Sequence, residues 1–327
     1  MDTIESISVV ICAYSEERYD DLVAAVASVR SQDEPAHEVI VVVDHNPHLL
    51  ERVRAHLSEV VVIENRGVRG LGEARNSGIA AARGAVVAFL DDDAVAAPDW
   101  LRQLRAGYED GRVAGVGGSI VPLWIGARPD WFPDEFNWVV GCTYRGMPRD
   151  AAPVRNLLGC NMSFRRQVFE RLGGFRLGYG GDETEFCIRL QRDQAGAMLL
   201  YQPRAVVQHK VPASRAHWRY FRRRCLFEGR TKAVVSWLLG ADQALSSERN
   251  YTVRTLPQGV VRGLSDAVLR QDIAGLGRAG FIIAGLVTTV VGYASGRLFV
   301  MDAARKRGLS DYSRDTSLPR RLARRVS

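Results

Sequence analysis

Short apolar runs alternate with segments of helical spacing along the first hundred or so residues of the chain. "ISVVICAY" (Ile7 to Tyr14) and "EVIVVVD" (Glu38 to Asp44) are β-branched runs without the every-second-residue alternation of a half-exposed strand. Both faces of each strand are therefore expected to be covered. Between them, "YDDLVAAVASVRSQ" sets Leu22, Val26 and Val29 at helical spacing. Strand, helix and strand in that order predict a parallel α/β sheet. "VVVIEN" (Val60 to Asn65) continues the pattern, "GLGEARNSGIAAARG" reads as a helix opened and closed by glycine, and "AVVAFL" is the next strand. Asp91, Asp92 and Asp93 follow at its carboxyl end, and "PDWLRQLRAGYED" reads as the helix beyond.

The position of the triple aspartate matters because open α/β sheets bind ligands outside the carboxyl ends of their strands. Three adjacent carboxylates there raise one another's proton affinity or require a cation, and a hard divalent ion takes oxygen ligands. Mg2+ or Mn2+ meets that need. The alternative is a solvated turn that caps the following helix.

A second acidic cluster lies in "GGFRLGYGGDETEFCIRLQR", where a glycine-rich approach, Gly173 to Gly181, precedes Asp182, Glu183 and Glu185. The helix that follows carries Phe186, Ile188 and Leu190 as its buried side. Acids at a helix start suit its dipole, which is enough to account for Glu185. "LLYQPRAVVQHKVP" reads as a strand with His209 at its end, either structural or a metal ligand. Trp131, in "RPDWFPDEFNW", suits either stacking on the ring of a ligand or loop packing.

With 327 residues and 46% hydrophobic content, the chain can bury one sizeable core and carry an appendage, which excludes a disordered tail. Its 44 Lys and Arg against 37 Asp and Glu give +7, a balance suited to a nucleotide, a phospholipid surface or nucleic acid. Cys12, Cys142, Cys160, Cys187 and Cys225 are odd in number and never form a C-x-x-C pair. They read as reduced thiols of a cytosolic compartment, not as a disulfide frame or zinc site. "MDTIESISVVICAY" enters a strand pattern with no charged-then-apolar leader, so export is not expected.

After Pro212 the composition changes. "SRAHWRYFRRRCLFEGRTKAVVSWLLG" interleaves arginines with Trp218, Tyr220, Phe221, Phe227 and Trp237. Such a helix suits an anionic membrane surface, or docks on the preceding α/β domain with its arginines toward an anionic ligand. "AGFIIAGLVTTVVGYASG" (Ala279 to Gly296) is uncharged between Arg278 and Arg297, but its glycines, Ser295 and two threonines dilute its hydrophobicity. A monotopic or shallowly inserted helix is expected, ahead of a full span, a buried helix or an oligomer contact. The tail "ARKRGLSDYSRDTSLPRRLARRVS" is strongly basic and suits lipid headgroups.

Taken in order, "SVVICAYSEE", "EVIVVVD", "GLGEARNSGIAAARG", "FLDDDAVAAPDWL", "GCNMSFRRQVFERLGGF" and "GGDETEFCIRL" resemble the motifs of family 2 glycosyltransferases over roughly residues 6 to 210. The resemblance implies a GT-A fold, a Rossmann-like α/β nucleotide-diphospho-sugar transferase domain at residues 1–212. Residues 213–327 then form a C-terminal helical, membrane-associating extension. It further implies that Asp93 takes the metal while Asp91 and Asp92 face ribose and diphosphate. Asp44, Ala13, Tyr14, Glu16 and Arg75 surround the nucleobase, and a carboxylate at Asp44 accepting from uracil favours UDP. Asn161 lies toward donor sugar or acceptor, and His209 completes the metal shell. The "VVDHNP" segment stands where many relatives have a "DDGS"-like turn. The family's acidic pair places the base second, at Glu183, with Asp182 orienting it, but the order here is Asp-Glu and leaves the two open.

The function expected is an inverting, hexosyltransferase-type transfer from a nucleotide-sugar to a lipid-linked or cell-envelope glycan at the cytoplasmic face of the membrane, with oligomerisation possible in principle. "VVVDHNP" and "WVVGCTYRG" narrow the likeness to transferases of polyprenyl or dolichyl phosphate sugars, glucuronosyltransferases included. One alternative is a catalytically silent sugar-nucleotide-binding membrane scaffold. The other is a nucleic-acid-binding protein, disfavoured because the aspartates repel phosphates and no zinc, helix-turn-helix or RNP-like motif is present.

Overall fold

A computed structural model describes residues 6–176, 181–239 and 249–306. Part of the glycine-rich approach to Asp182 and the basic tail from residue 307 on lie outside the described residues. The strands are β1 (Ile7–Ala13), β2 (Glu38–Asp44), β3 (Val61–Asn65), β4 (Val86–Asp91), β5 (Ala94–Ala96), β6 (Val113–Trp124), β7 (Ala152–Pro153), β8 (Asn161–Arg165) and β9 (Met198–Val211). The helices are α1 (Tyr19–Arg30), α2 (Pro47–His56), α3 (Leu71–Ala81), α4 (Trp100–Ala106), α5 (Arg166–Leu172), α6 (Asp182–Asp193), α7 (Trp218–Leu239), α8 (Leu256–Leu269) and α9 (Ala274–Lys306).

All nine strands join one sheet in the order β3-β2-β1-β4-β8-β6-β9-β5, with β7 on β9. The β3-β2-β1-β4 part is parallel, and β8 on β4, β6 on β8 and β5 on β9 are antiparallel. Val39 to Val43 are buried in succession, which is why β2 shows no alternation: helices and loops cover both of its faces. Helix α1 buries Leu22, Val26 and Val29, the positions its spacing predicts.

The register levels the carboxyl ends of the parallel strands. Cys12 pairs with Asp91, Ala13 with Val43, and Asp44 with Asn65. Strand order reverses between β1 and β4, the place where open α/β sheets leave a ligand crevice. The chain turns at Asp92 and Asp93 into β5, which pairs with β9 so that Ala94 faces His209.

The chain divides into two compact units, the first comprising residues up to Leu123 with Pro148–Arg176 and Asp182–Lys210, the second Trp124–Met147 with Gly181 and the chain from Val211 on. The second unit thus recruits a segment well upstream of Pro212. In it, Trp131 stacks on Phe281 with centroids 4.1 Å apart, and Phe132 meets Phe221 edge to face. Loop packing therefore accounts for Trp131. Gly292, one of the glycines that dilute the apolar run, has a packing role. A Cβ at Gly292 would lie 2.3 Å from the Leu226 carbonyl of α7, and one at Gly229 would lie 2.1 Å from the Thr289 carbonyl of α9. The two helices approach through backbone that tolerates no side chain there. Helix α9 runs well past both arginines that bracket the run. Its Ala274–Asp302 stretch is long and apolar enough to cross a membrane. Ile283, Val287, Val290, Val291, Leu298 and Met301 stand exposed along it.

Candidate active site

The three aspartates are not a solvated turn. Asp92 and Asp93 are 4% and 5% exposed, and α4 begins beyond them at Trp100. Arg18, from the turn after β1, sets one guanidinium nitrogen 2.9 Å from Asp92 Oδ1 and 3.2 Å from Asp93 Oδ2. Asp93 Oδ1 also lies 3.2 Å from His209 Nε2, across the pairing of β5 with β9. Asp91 is more open and sits 3.4 Å from Arg75, which in turn donates to the Gly159 carbonyl at 3.0 Å. The Phe89 and Phe175 rings lie 5.9 and 5.8 Å from the Arg75 guanidinium and 5.5 Å from each other.

Burial pushes Asp92 up to about 7; Arg18 opposes the shift, and the charges of Asp93 and Asp91 add to it. Its Oδ2 is buried and accepts no hydrogen bond. A buried carboxylate oxygen without a donor is costly, and a divalent cation is one species that answers it. A second sign of metal chemistry is close by: ligand atoms of Asp91, Cys160 and His209 all lie within 4.8 Å of one another. The donor set therefore fits a divalent ion.

The expected nucleobase residues lie along the same rim. Ala13 is buried, Tyr14 is half exposed with Arg18 5.6 Å from its ring, and Glu16 is exposed in the turn that carries Arg18. Asp44 accepts from Asn65 Nδ2 at 2.6 Å, from the Gly70 amide at 2.9 Å and pairs with His45 Nδ1 at 2.8 Å. Gly70 adopts φ 139°, a backbone conformation only glycine takes readily, so the helix α3 entry is shaped around this carboxylate. A carboxylate has about four lone-pair sites, and these contacts use three of them.

Asn161 is placed differently. It is 0% exposed, receives the Trp100 indole N–H at 2.8 Å, and donates to the Ser119 and Ala205 carbonyls at 2.9 and 2.8 Å. Its amide ties β8 to β6 and β9. Asp182 and Glu183 are half-buried in the first turn of α6, whereas Glu185 is buried and held by Arg189 at 2.9 and 3.0 Å.

Sequence reasoning overlooked Arg18 and Cys160. Arg18 lies in a short 3-10 turn with no periodicity to mark it. Cys160 had a signal in the register: β8 runs antiparallel to β4 with Asn161 opposite Leu90, so one step on sets Cys160 opposite Asp91. The five cysteines are free thiols, as expected, and burial pushes Cys12, Cys187 and Cys225 up to about 12.

The chain is similar to known proteins. The family model described as glycosyl transferase family 2 matches residues 8–173. The chain is 34% identical over 304 residues to a glucosyl-dolichyl phosphate glucuronosyltransferase of Haloferax volcanii, covering 89% of this chain and 96% of that protein. The solved mannosyltransferase PcManGT from Pyrobaculum calidifontis, in complex with GDP-Man and Mn2+, matches with a TM-score of 0.55 at 18% identity over 88% of both chains. GalNAc-T7 with UDP, GalNAc and Mn2+ matches with a TM-score of 0.50 at 21% identity, over 64% of this chain and 43% of that one. The sheet order, the carboxylate rim and these likenesses agree, and the chain belongs to glycosyl transferase family 2, with the GT-A fold.

Proposed function

We propose that the protein is an inverting, metal-dependent transferase that moves a sugar from a UDP-sugar to a lipid-linked or cell-envelope glycan acceptor. The observation that carries the reading is the buried, donorless oxygen of Asp92 within a rim of three carboxylates. Two guanidiniums, Arg18 and Arg75, face those three carboxylates, and a diphosphate adds further negative charge. That sum requires a cation.

In this reading, residues 1–212 carry catalysis and residues 213–327 form the helical region that meets an anionic membrane at its cytoplasmic face. The Haloferax protein's name, with its dolichyl phosphate glucosyl acceptor, and the apolar face of α9 support contact with a membrane and do not bear on which face it is.

Asp93 and His209 hold Mg2+ or Mn2+, with Asp91 beside them, while Asp91 and Asp92 face ribose and diphosphate. When bound, the ion neutralises charge on the departing nucleoside diphosphate. Asp44, Ala13, Tyr14 and Glu16 bind the base, and Arg75 closes the pocket. Asn161 fixes the strands beneath the donor sugar. Glu183 takes the proton from the acceptor hydroxyl as that oxygen attacks the anomeric carbon from the face opposite the diphosphate, and Asp182 orients it. No covalent enzyme intermediate forms.

The test is a thermal-shift screen of nucleoside diphosphates and their sugars with and without Mn2+, followed by NMR of the product's anomeric centre. UDP with Mn2+ at a hundred times its Kd is expected to stabilise by about 2.7 kcal/mol. Stabilisation by GDP alone overturns the donor. Binding without transfer across a broad acceptor panel overturns the enzyme, and retention of configuration overturns the single displacement.

A further inference from the structure

The register that brings β8 against β4 also sets a sulfur beside the carboxylate rim. Cys160 is 6% exposed, immediately precedes β8, and falls opposite Asp91 when the β4–β8 pairing is continued by one residue. His209 is 5% exposed and reaches the same point from β9, held there by the pairing of Ala94 with His209 and by the Lys210 amide on the Asp93 carbonyl at 2.9 Å. The carboxylate oxygen, the sulfur and the ring nitrogen lie within 4.8 Å of one another, a spacing that one ion can bridge. Arg75 fixes the approach of this segment, since it touches both Asp91 and the Gly159 carbonyl just before Cys160.

We propose that Cys160 is a thiolate ligand of the divalent cation, so that the site takes one sulfur, one nitrogen and one or more oxygens. This rests on the metal-dependent reading above and adds a specificity-determining residue to it. Oxygen-only sites suit Mg2+ and Mn2+, whereas imidazole and thiolate favour Co2+ and Zn2+, both by softness and by position in the divalent affinity series. Binding is a proton exchange: the Cys160 S–H bond breaks, a sulfur–metal bond forms, and one proton leaves to solvent for each thiol ligated. No oxidation state changes. The protein is therefore expected to bind Co2+ and Zn2+ ahead of Mn2+ by a margin that the Cys160 thiolate widens.

The full-length protein is titrated with Co2+ in the presence of UDP, and its near-ultraviolet absorption is read for a thiolate-to-cobalt charge-transfer band. The band is expected in the wild type and absent in Cys160→Ser, with Co2+ and Zn2+ affinity falling on the order of tenfold or more while Mg2+ affinity is held. Cys12 also neighbours Asp91, through the β1–β4 pairing, so Cys12→Ser is the control and is expected to keep the band. Cys160→Ala is measured in parallel, and a circular-dichroism melt verifies that each variant is folded. Co2+ binding without the band, or a band lost in Cys12→Ser and kept in Cys160→Ser, overturns the thiolate ligand and leaves the transferase reading standing. Failure of Co2+ and of Mn2+ to bind at all, with UDP present, overturns both.

Discussion

At the turn after β4 and at the start of α6 the chain gathers three acidic residues each, Asp91, Asp92 and Asp93 in one place and Asp182, Glu183 and Glu185 in the other. In the α6 cluster the buried member is matched by resident cations. Glu185 takes a two-pronged bond from Arg189, and Arg176 approaches it at 3.5 Å. In the β4 cluster two members are buried, and an oxygen of Asp92 accepts no hydrogen bond. The difference separates a charge held for stability from a charge held in readiness. An arginine on the same helix neutralises permanently, whereas in the proposed function a dissociable ion would neutralise the β4 carboxylates only when bound.

Substitutions that act on one cluster and not the other sharpen that contrast. Asp93→Asn is expected to lower sugar transfer by about a thousandfold, read as kcat/KM in an assay with saturating Mn2+, with the fold intact by circular dichroism. A variant that transfers at the wild-type rate breaks the assignment of the rim to the metal. Glu183→Gln is expected to cost about a hundredfold or more in kcat, the contribution of a positioned base, with a smaller loss for Asp182→Asn. The reverse order of the two losses moves the base to Asp182.

Glu185→Gln acts through the fold. Removing one partner of a buried ion pair leaves the Arg189 charge exposed to a low-polarity surround, and denaturant unfolding is expected to show a loss of about 3 kcal/mol. The folded fraction should retain its turnover number. A Glu185→Gln protein of wild-type stability removes the contrast between the clusters.

The smallest effect is in pH. Asp92 sits at about 7 in place of 3.8, so the native protein keeps a proton that the unfolded chain has already released in that window. Without metal, stability is therefore lost as pH rises from the lower value through the upper one. Raising the pH from about 5 to about 8 in chelator is expected to lower the Tm by a few degrees, and Asp92→Asn to flatten that slope. Added Mn2+ restores the Tm most at the higher pH. A metal-free slope unchanged by Asp92→Asn contradicts the burial argument.

The parallel half of the sheet was legible because each of its strands is a contiguous apolar run and α1 carries its face in order. The antiparallel half was harder. Strand β6 contains "GVGG", which masks its strand character, and its pairing with β8 is long-range information. The same contrast holds in the site. Asp91 to Asp93 announce themselves as consecutive charges, while Arg18 and Cys160 carry no local pattern and gain meaning only from the strands set against them. Asn161 illustrates the opposite problem: a motif position whose amide hydrogen bonds lie inside the sheet, invisible until Ser119 and Ala205 are in place. Gly292 and Gly296 of α9 read as diluted hydrophobicity because sequence does not show the helix that lies against them.

Strand β9 enters the sheet last among the strands and brings His209 beside an aspartate turn that was synthesised more than a third of the chain earlier. A ribosome-bound fragment that ends before β9 has the carboxylates but lacks the imidazole. In the proposed metal site, tight ion binding at the rim therefore waits on the pairing of β5 with β9.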